Sequence, residues 1–327
     1  MRIPELKDKE IYSAFRIPHS NKGGNMKVLI TGGLGFVGTY LSTRLLEEGH
    51  QVTVVGRAHE PQADTPSEIT YISADTTVKG PWQEEVAGQD VVINPAGASI
   101  FRRWNDKTKR LIYDSRVLTT RNVVEAMVQE KGALLCSASA VGYYGFRGDE
   151  ELTEEDTPGN DFLARLCVDW ENEARKAQAK GVRVVMARFG IVLGKAGGAL
   201  GQMLPAFKKF VGGPLGSGNQ WFSWIHMEDL SNAFVFIFEN QDISGPVNFC
   251  SPNPVRNKDL AKALGKVLSR PSFLTTPAFM VRLVLGEFGS MLLEGQRVVP
   301  AELLKHGFAF RYPEIMSALE EIIGKDS

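Results

Sequence analysis

The chain is poor in cysteine, with only Cys136, Cys167 and Cys250 in 327 residues. Three widely separated thiols exclude a disulfide framework and suit a reduced cytosol. Histidine is scarce as well: the five present are scattered and show no metal-ligand spacing. No structural or catalytic metal is expected. Charge of one sign is also missing, because 37 basic and 38 acidic residues leave a net −1. That balance offers no general attraction for nucleic acid or an anionic membrane. No apolar run approaches the ~18 residues that a membrane span needs. Residues 1–25 lack the apolar stretch of a secretory signal, and Lys7, Asp8, Lys9 and Glu10 oppose insertion. They read as a flexible extension without chemistry of its own. The expected protein is cytoplasmic, with a small molecule as its partner and its oligomeric state left open.

What is present is an α/β pattern. Short apolar runs at Lys27–Ile30, Gln51–Val55, Ile69–Ser73, Val91–Ile93, Ala133–Ala138 and Arg183–Phe189 alternate with helical periodicity. The helices are predicted over Phe36–Glu48, Lys107–Gln129 and Asp161–Lys180. Strands this apolar predict a parallel sheet covered on both faces. After Val192 the texture changes, and Gly194–Gly218 holds eight glycines. Helices return over Lys258–Leu268, Ala278–Leu293 and Ile315–Ile323. The expected fold is a Rossmann-type, doubly wound parallel sheet with a smaller, mainly helical C-terminal substrate lobe. Its divisions are 1–25, 26–193 and 194–327, with sheet elements free to be shared across the last boundary.

Thr31-Gly32-Gly33-Leu34-Gly35-Phe36-Val37-Gly38 follows the first strand and opens the first helix. Gly32 permits the tight turn, Gly35 lets backbone approach a pyrophosphate, and Gly38 lets helix and strand pack closely. The free N–H groups and positive end of that helix stabilise phosphate charge. Placed between a strand and a helix, the triplet is a strong signal for a dinucleotide. The second strand ends Val54-Val55-Gly56-Arg57, without the acid that would hydrogen-bond the ribose 2′-hydroxyl of NAD. Arg57 is suited instead to a 2′-phosphate, so NADP(H) is the expected cofactor.

These motifs resemble those of the extended and atypical short-chain dehydrogenases/reductases. The likeness continues through Asn94-Pro95-Ala96-Gly97, Ser137-Ala138-Ser139 and Trp224-Ile225-His226. A narrower resemblance is to the NADP-binding epimerase-like family, also labelled nucleoside-diphosphate-sugar epimerase-like, with its C-terminal module. It rests on Val141-Gly142-Tyr143-Tyr144-Gly145, Asp169-Trp170-Glu171, Arg188 to Gly194, Gly216 to Trp221 and Gly295 to Pro300. The resemblance implies pyrophosphate contacts from Gly35, Phe36 and Val37, and adenosine-phosphate contacts from Gly56 and Arg57. It places Asn94 and Pro95 beside the ribose, adds Leu111 and Arg116, and brings the backbone of Val192 to the nicotinamide. Asp75 is either an adenine contact or an exposed loop carboxylate.

The superfamily's usual engine is a tyrosine and a lysine four residues apart on the helix after strand five. Aligned on Glu171, those positions hold Leu163 and Cys167, and neither can do the job. Ser139, Tyr143 and Tyr144 remain as candidate catalytic hydroxyls, with packing or loop anchoring as the alternative reading of the tyrosines. Cys167 reads as a buried core thiol, His226 as a structural histidine before a helix capped by Asp229, and Asp149–Asp156 as a solvated acidic loop. Met203, Phe207, Trp221 and Phe222 could cover a substrate. Two functions stay open: an NADP-dependent oxidoreductase acting on a small carbonyl or hydroxyl compound, nucleotide sugars included, or a non-catalytic NADP(H)-responsive binding protein.

Overall fold

The computed structural model describes residues 24–63, 65–128, 132–195 and 197–324. The N-terminal extension expected at 1–25 lies outside the described residues except for its last two. In chain order the first half comprises β1 (Lys27–Thr31), α1 (Phe36–Glu47), β2 (Gln51–Gly56), β3 (Thr70–Ser73), β4 (Val91–Asn94), α2 (Asp106–Ala126) and β5 (Leu134–Ala140). There follow β6 (Glu151–Leu152), α3 (Phe162–Arg175), β7 (Arg183–Phe189), β8 (Ile191–Leu193), α4 (Gly198–Lys208), β9 (Trp221–Phe222) and β10 (Trp224–His226). Next come α5 (Met227–Glu239), β11 (Gly245–Phe249), β12 (Val255–Arg256), α6 (Asn257–Val267) and α7 (Ala278–Leu285). The last are α8 (Glu287–Leu292), β13 (Arg297–Val298), α9 (Ala301–Lys305) and α10 (Ile315–Ile323).

Seven strands pair in parallel in the order β11-β7-β5-β4-β1-β2-β3. Side chains alternate between the two faces of a strand, and β1 shows what that demands. Val28 and Ile30 pack with Leu41 and Leu45 of α1 and with Leu230, Phe234 and Ile237 of α5. Leu29, between them, packs on the other face with Val123 and Val124 of α2 and Ala174 of α3. All three strand residues are wholly buried, which is why β1 reads as an unbroken apolar run. The sheet is therefore doubly wound, as its composition predicts.

The lobe has its own core. Leu200 and Phe207 of α4, Trp224, Leu260 and Leu264 of α6, and Leu319 and Ile322 of α10 form one buried cluster. Helix α4 forms despite two interior helix breakers, Gly201 and Pro205, which mask it in the sequence. Packing of its buried residues overrides that weak propensity. Phe207 is core rather than a cover for a ligand, and Phe222 is buried too. The lobe is pinned to the sheet by β11, whose strand order places residues 245–249 beside β7.

Helix α5 starts earlier than its sequence suggests. His226 is the cap, its Nδ1 accepting from the N–H of Glu228, while Nε2 faces Glu321 at 3.2 Å. Asp229, the expected cap, has another task. Its two carboxylate oxygens accept from the backbone N–H groups of Arg311 (2.7 Å) and Tyr312 (2.9 Å), docking the approach to α10. Burial pushes that carboxyl up to about 6. Asp229→Asn should turn an amide NH₂ toward one of these N–H groups. We expect the resulting loss, about 1–3 kcal/mol for a buried unsatisfied donor, in urea unfolding monitored by circular dichroism.

Candidate functional site

The order of the sheet reverses between β1 and β4, and a cleft of ≈ 440 Å³ opens at the strand ends there. A crevice at this point is where open α/β sheets bind ligands. Its walls are turns: Gly32–Gly38 after β1, Val55–Ala58 after β2, Ala74–Thr77 after β3 and Pro95–Ala98 after β4. Glycine is required in the first turn. Gly32 has φ +65°, and a Cβ on Gly38 would lie 2.5 Å from both Gly32 O and Gly33 Cα. The turn thus brings α1 down onto β1 with no room for side chains. Gly35 caps α1 without a side chain, and the first turn has no acidic residue. Its N–H groups and positive end face the cleft, the arrangement that suits a phosphate.

Of the predicted cofactor residues, Gly32, Gly35, Phe36, Val37, Gly56, Arg57 and Pro95 line this cleft. Arg57 stands exposed at the end of β2 and makes no ion pair or hydrogen bond among the described residues. Asp75 also lines the cleft, with Oδ1 accepting from the N–H (3.0 Å) and hydroxyl (2.7 Å) of Thr77. The other predicted residues sit elsewhere. Asn94 is wholly buried beneath the cleft, accepting from Thr31 (2.5 Å) and donating to Thr120 (2.7 Å). Leu111 is exposed on α2. Arg116 donates to the carbonyls of Ala98 and Ile112, so it holds the turn after β4 in place. Burial pushes its guanidinium down to about 10. Val192 pairs with Ile225 between β8 and β10.

Phe36 explains part of the glycine run that follows Leu193. A Cβ on Gly197 or Gly198 would lie 2.5 or 2.7 Å from the Phe36 ring. Close packing of this ring against the lobe's first turn requires glycine there.

The candidate catalytic residues belong to a buried network. Arg188 on β7 and Glu171 on α3 pair through two bonds, Nε to Oε1 at 2.7 Å and Nη2 to Oε2 at 2.9 Å. Ser139 donates to the same Oε1 at 2.8 Å. Tyr144, fully buried, accepts from Arg188 (2.9 Å) and donates to Asn248 of β11 (2.7 Å). Burial raises its phenol well above the ordinary value. Ser139 and Tyr144 therefore spend their hydroxyls inside the core. Tyr143 differs: half-buried, its ring lies 3.5 Å from the Arg188 guanidinium, and its hydroxyl has no hydrogen-bond partner among the described residues.

Helix α3 packs its Leu163 against Gly142 in the Val141–Tyr144 turn. Cys167 is buried there, and burial pushes its thiol up to about 12. The acidic loop is more structural than its composition suggests. Glu154 is buried and accepts from the N–H groups of Asn248 and Glu302, while Asp149 meets Arg256 and Trp221. No sequence spacing pointed to Glu154 as an anchor, because its partners are backbone groups 94 and 148 residues away.

A glycine turn feeding a helix at the switch point of a parallel sheet defines a Rossmann-type dinucleotide-binding protein. The chain belongs to the NAD dependent epimerase/dehydratase family, whose model matches residues 28–249. Residues 276–322 match a second model, a domain of unknown function, DUF1731. The chain is 40% identical over 314 residues to the chloroplastic epimerase family protein SDR39U1 homolog of Arabidopsis thaliana, covering 93% of this chain and 88% of that protein. It is 39% identical to epimerase family protein YfhF of Bacillus subtilis over 91% of this chain and 98% of the other. It also resembles the crystal structure of human epimerase family protein SDR39U1 with NADPH. The TM-score is 0.80 and the identity 33%, over 91% of this chain and 99% of that one.

The network's ion pair is measurable. Glu171→Gln leaves Arg188 charged and under-paired in the core, which should cost about 3–5 kcal/mol of unfolding free energy. Ser139→Ala, which removes one donor to the same carboxylate, should cost less, about 1.5–3 kcal/mol, with both variants read in guanidinium chloride unfolding.

Proposed function

We propose that the chain is an NADP(H)-binding, epimerase-like oxidoreductase acting on a small carbonyl or hydroxyl compound, with nucleotide sugars as one candidate class. The observation that carries the cofactor assignment is Arg57: an unpaired guanidinium at the mouth of a glycine-walled cleft, on a strand end with no carboxylate. The NADPH bound by the human relative supports it. In this reading the first turn of α1 receives the pyrophosphate through its N–H groups. Arg57 receives the 2′-phosphate, and Asn94 and Arg116 act from behind by holding the turns that shape the cleft. The dinucleotide would supply or accept hydride. The chain's own contribution is to orient it, exclude water and hold a proton for the substrate oxygen, for which Tyr143 is the hydroxyl left free.

A second reading has a specific observation behind it. Leu163 and Cys167 stand where the superfamily's proton-transfer pair would be, and Ser139 and Tyr144 are committed to the core. A protein that binds NADP(H) and relays its presence through the lobe would have the same features.

Two measurements separate these readings. Calorimetry should give tighter binding for NADPH than for NADH, with Arg57→Ala removing most of the difference, about 1.5–3 kcal/mol for bonds to a charged group. Equal affinities in the unaltered protein would refute the Arg57 assignment. With a turned-over substrate found by screening carbonyl compounds and nucleotide sugars, Tyr143→Phe should slow turnover roughly 10²–10⁴-fold while NADPH affinity holds. Full turnover by that variant would remove Tyr143 as proton donor, and no NADPH oxidation across the screen would favour the binding protein.

A further inference from the structure

The overall charge of −1 hides a segregated distribution. No aspartate or glutamate occurs between Glu173 and Glu228, and none occurs between Asp259 and Glu287. The fold brings parts of these two acid-free stretches together. Thr276 donates its N–H to Pro214 O at 2.9 Å, Gly216 donates to Thr276 O at 2.8 Å, and the Arg270 guanidinium lies 4.6 Å from the Phe210 ring centroid.

This junction is also where apolar surface collects. Eight of the fourteen large hydrophobic side chains that are exposed among the described residues lie on 210–211 and 273–284. Phe273, Phe279, Leu283 and Val284 are 65–77% exposed, and Phe210 and Val211 more than half. On α7 only Val281 is buried; Phe279, Met280, Leu283 and Val284 form an outward face. Lys208, Lys209, Arg270 and Arg282 are exposed around it. Phe210 and Ser269, which adjoin the patch, are the only non-glycine residues with positive φ among the described residues, at 63° and 52°. A bulky residue held in that conformation costs stability and persists where the surroundings or a function require it.

We propose that this face docks on the surface of an anionic lipid bilayer, with the aromatic and aliphatic side chains entering the headgroup boundary and the cations pairing with lipid phosphates. Projecting aromatic and aliphatic groups ringed by Lys and Arg are the marks of an interfacial surface rather than a membrane span. A second copy of the chain fits poorly, because two such faces would bring like charges together. Docking here leaves the dinucleotide cleft to its own chemistry and does not depend on the assigned function.

Co-sedimentation of the full chain with vesicles tests this, using equal parts phosphatidylglycerol and phosphatidylcholine against phosphatidylcholine alone. Binding should appear on the anionic vesicles at low salt and fall at high salt. Lys208→Glu with Lys209→Glu should weaken it by about fivefold or more per residue. Phe279→Glu with Leu283→Glu should abolish it, with thermal melting of both variants checking that the fold is intact. Absence of binding by the unaltered chain, equal binding to the neutral vesicles, or full binding by both double variants would overturn the proposal. So would a concentration-dependent dimer, lost in the Phe279/Leu283 variant, that forms while the unaltered chain ignores vesicles. The same holds for capture of an acidic protein through this face without lipid binding.

Discussion

The Arg188–Glu171 pair is the constraint around which the middle of the molecule is arranged. Both side chains are almost completely removed from water, where an unpaired charge would be far more expensive than any packing gain. Each must therefore find partners within the core. Glu171 takes the guanidinium of Arg188, the hydroxyl of Ser139 and Nη2 of Arg175; Arg188 gives Nη1 to Tyr144. Tyr144 passes the requirement to Asn248, whose amide donates to Val299 O and whose backbone N–H donates to Glu154. One ion pair between α3 and β7 thus fixes the turn after β5, the last strand of the sheet and the segment leading into α9. Its geometry commits Ser139 and Tyr144 to a fixed polar core and leaves the Tyr143 hydroxyl outside it.

The cleft at the switch point obeys a different rule, since backbone turns form most of its walls. Backbone turns build it, and glycine makes those turns possible at Gly32 and Gly38. Arg57 and Asp75 stand in its walls, and other side chains act from behind, as Arg116 does on Ala98 and Asn94 does on β1 and α2. Phe36 links the two halves: its ring sits against Gly197 and Gly198 while its backbone begins α1.

This contrast decides what could be read from the sequence. The sheet, α1, α2, α3 and the glycine turn were legible, because local periodicity and local spacing encode them. Arg57 was legible as an arginine directly after the second strand, and it lines the cleft. What escaped were relations across long separations. Nothing near Asn94 announces that it pairs with Thr31 and Thr120, and nothing near Glu154 foretells backbone partners in β11 and α9. Ser139 and Tyr144 look like exposed hydroxyls in a loop until Glu171 and Arg188 claim them. Helix α4 was hidden by Gly201 and Pro205, and the cap of α5 by Asp229, a better capper by composition than His226 but already engaged by Arg311 and Tyr312.

The position of β11 has a consequence for how the chain is made. It pairs with β7 across a gap of more than fifty residues, and it closes one side of the sheet. A ribosome must deliver the whole of α4 and α5 before residues 245–249 are available. During that interval β7, with its buried run Val184–Ala187, presents open N–H and carbonyl groups to any strand that passes. Such an edge is a template for intermolecular pairing, so a newly made chain is open to aggregation at β7 until the lobe has returned its strand.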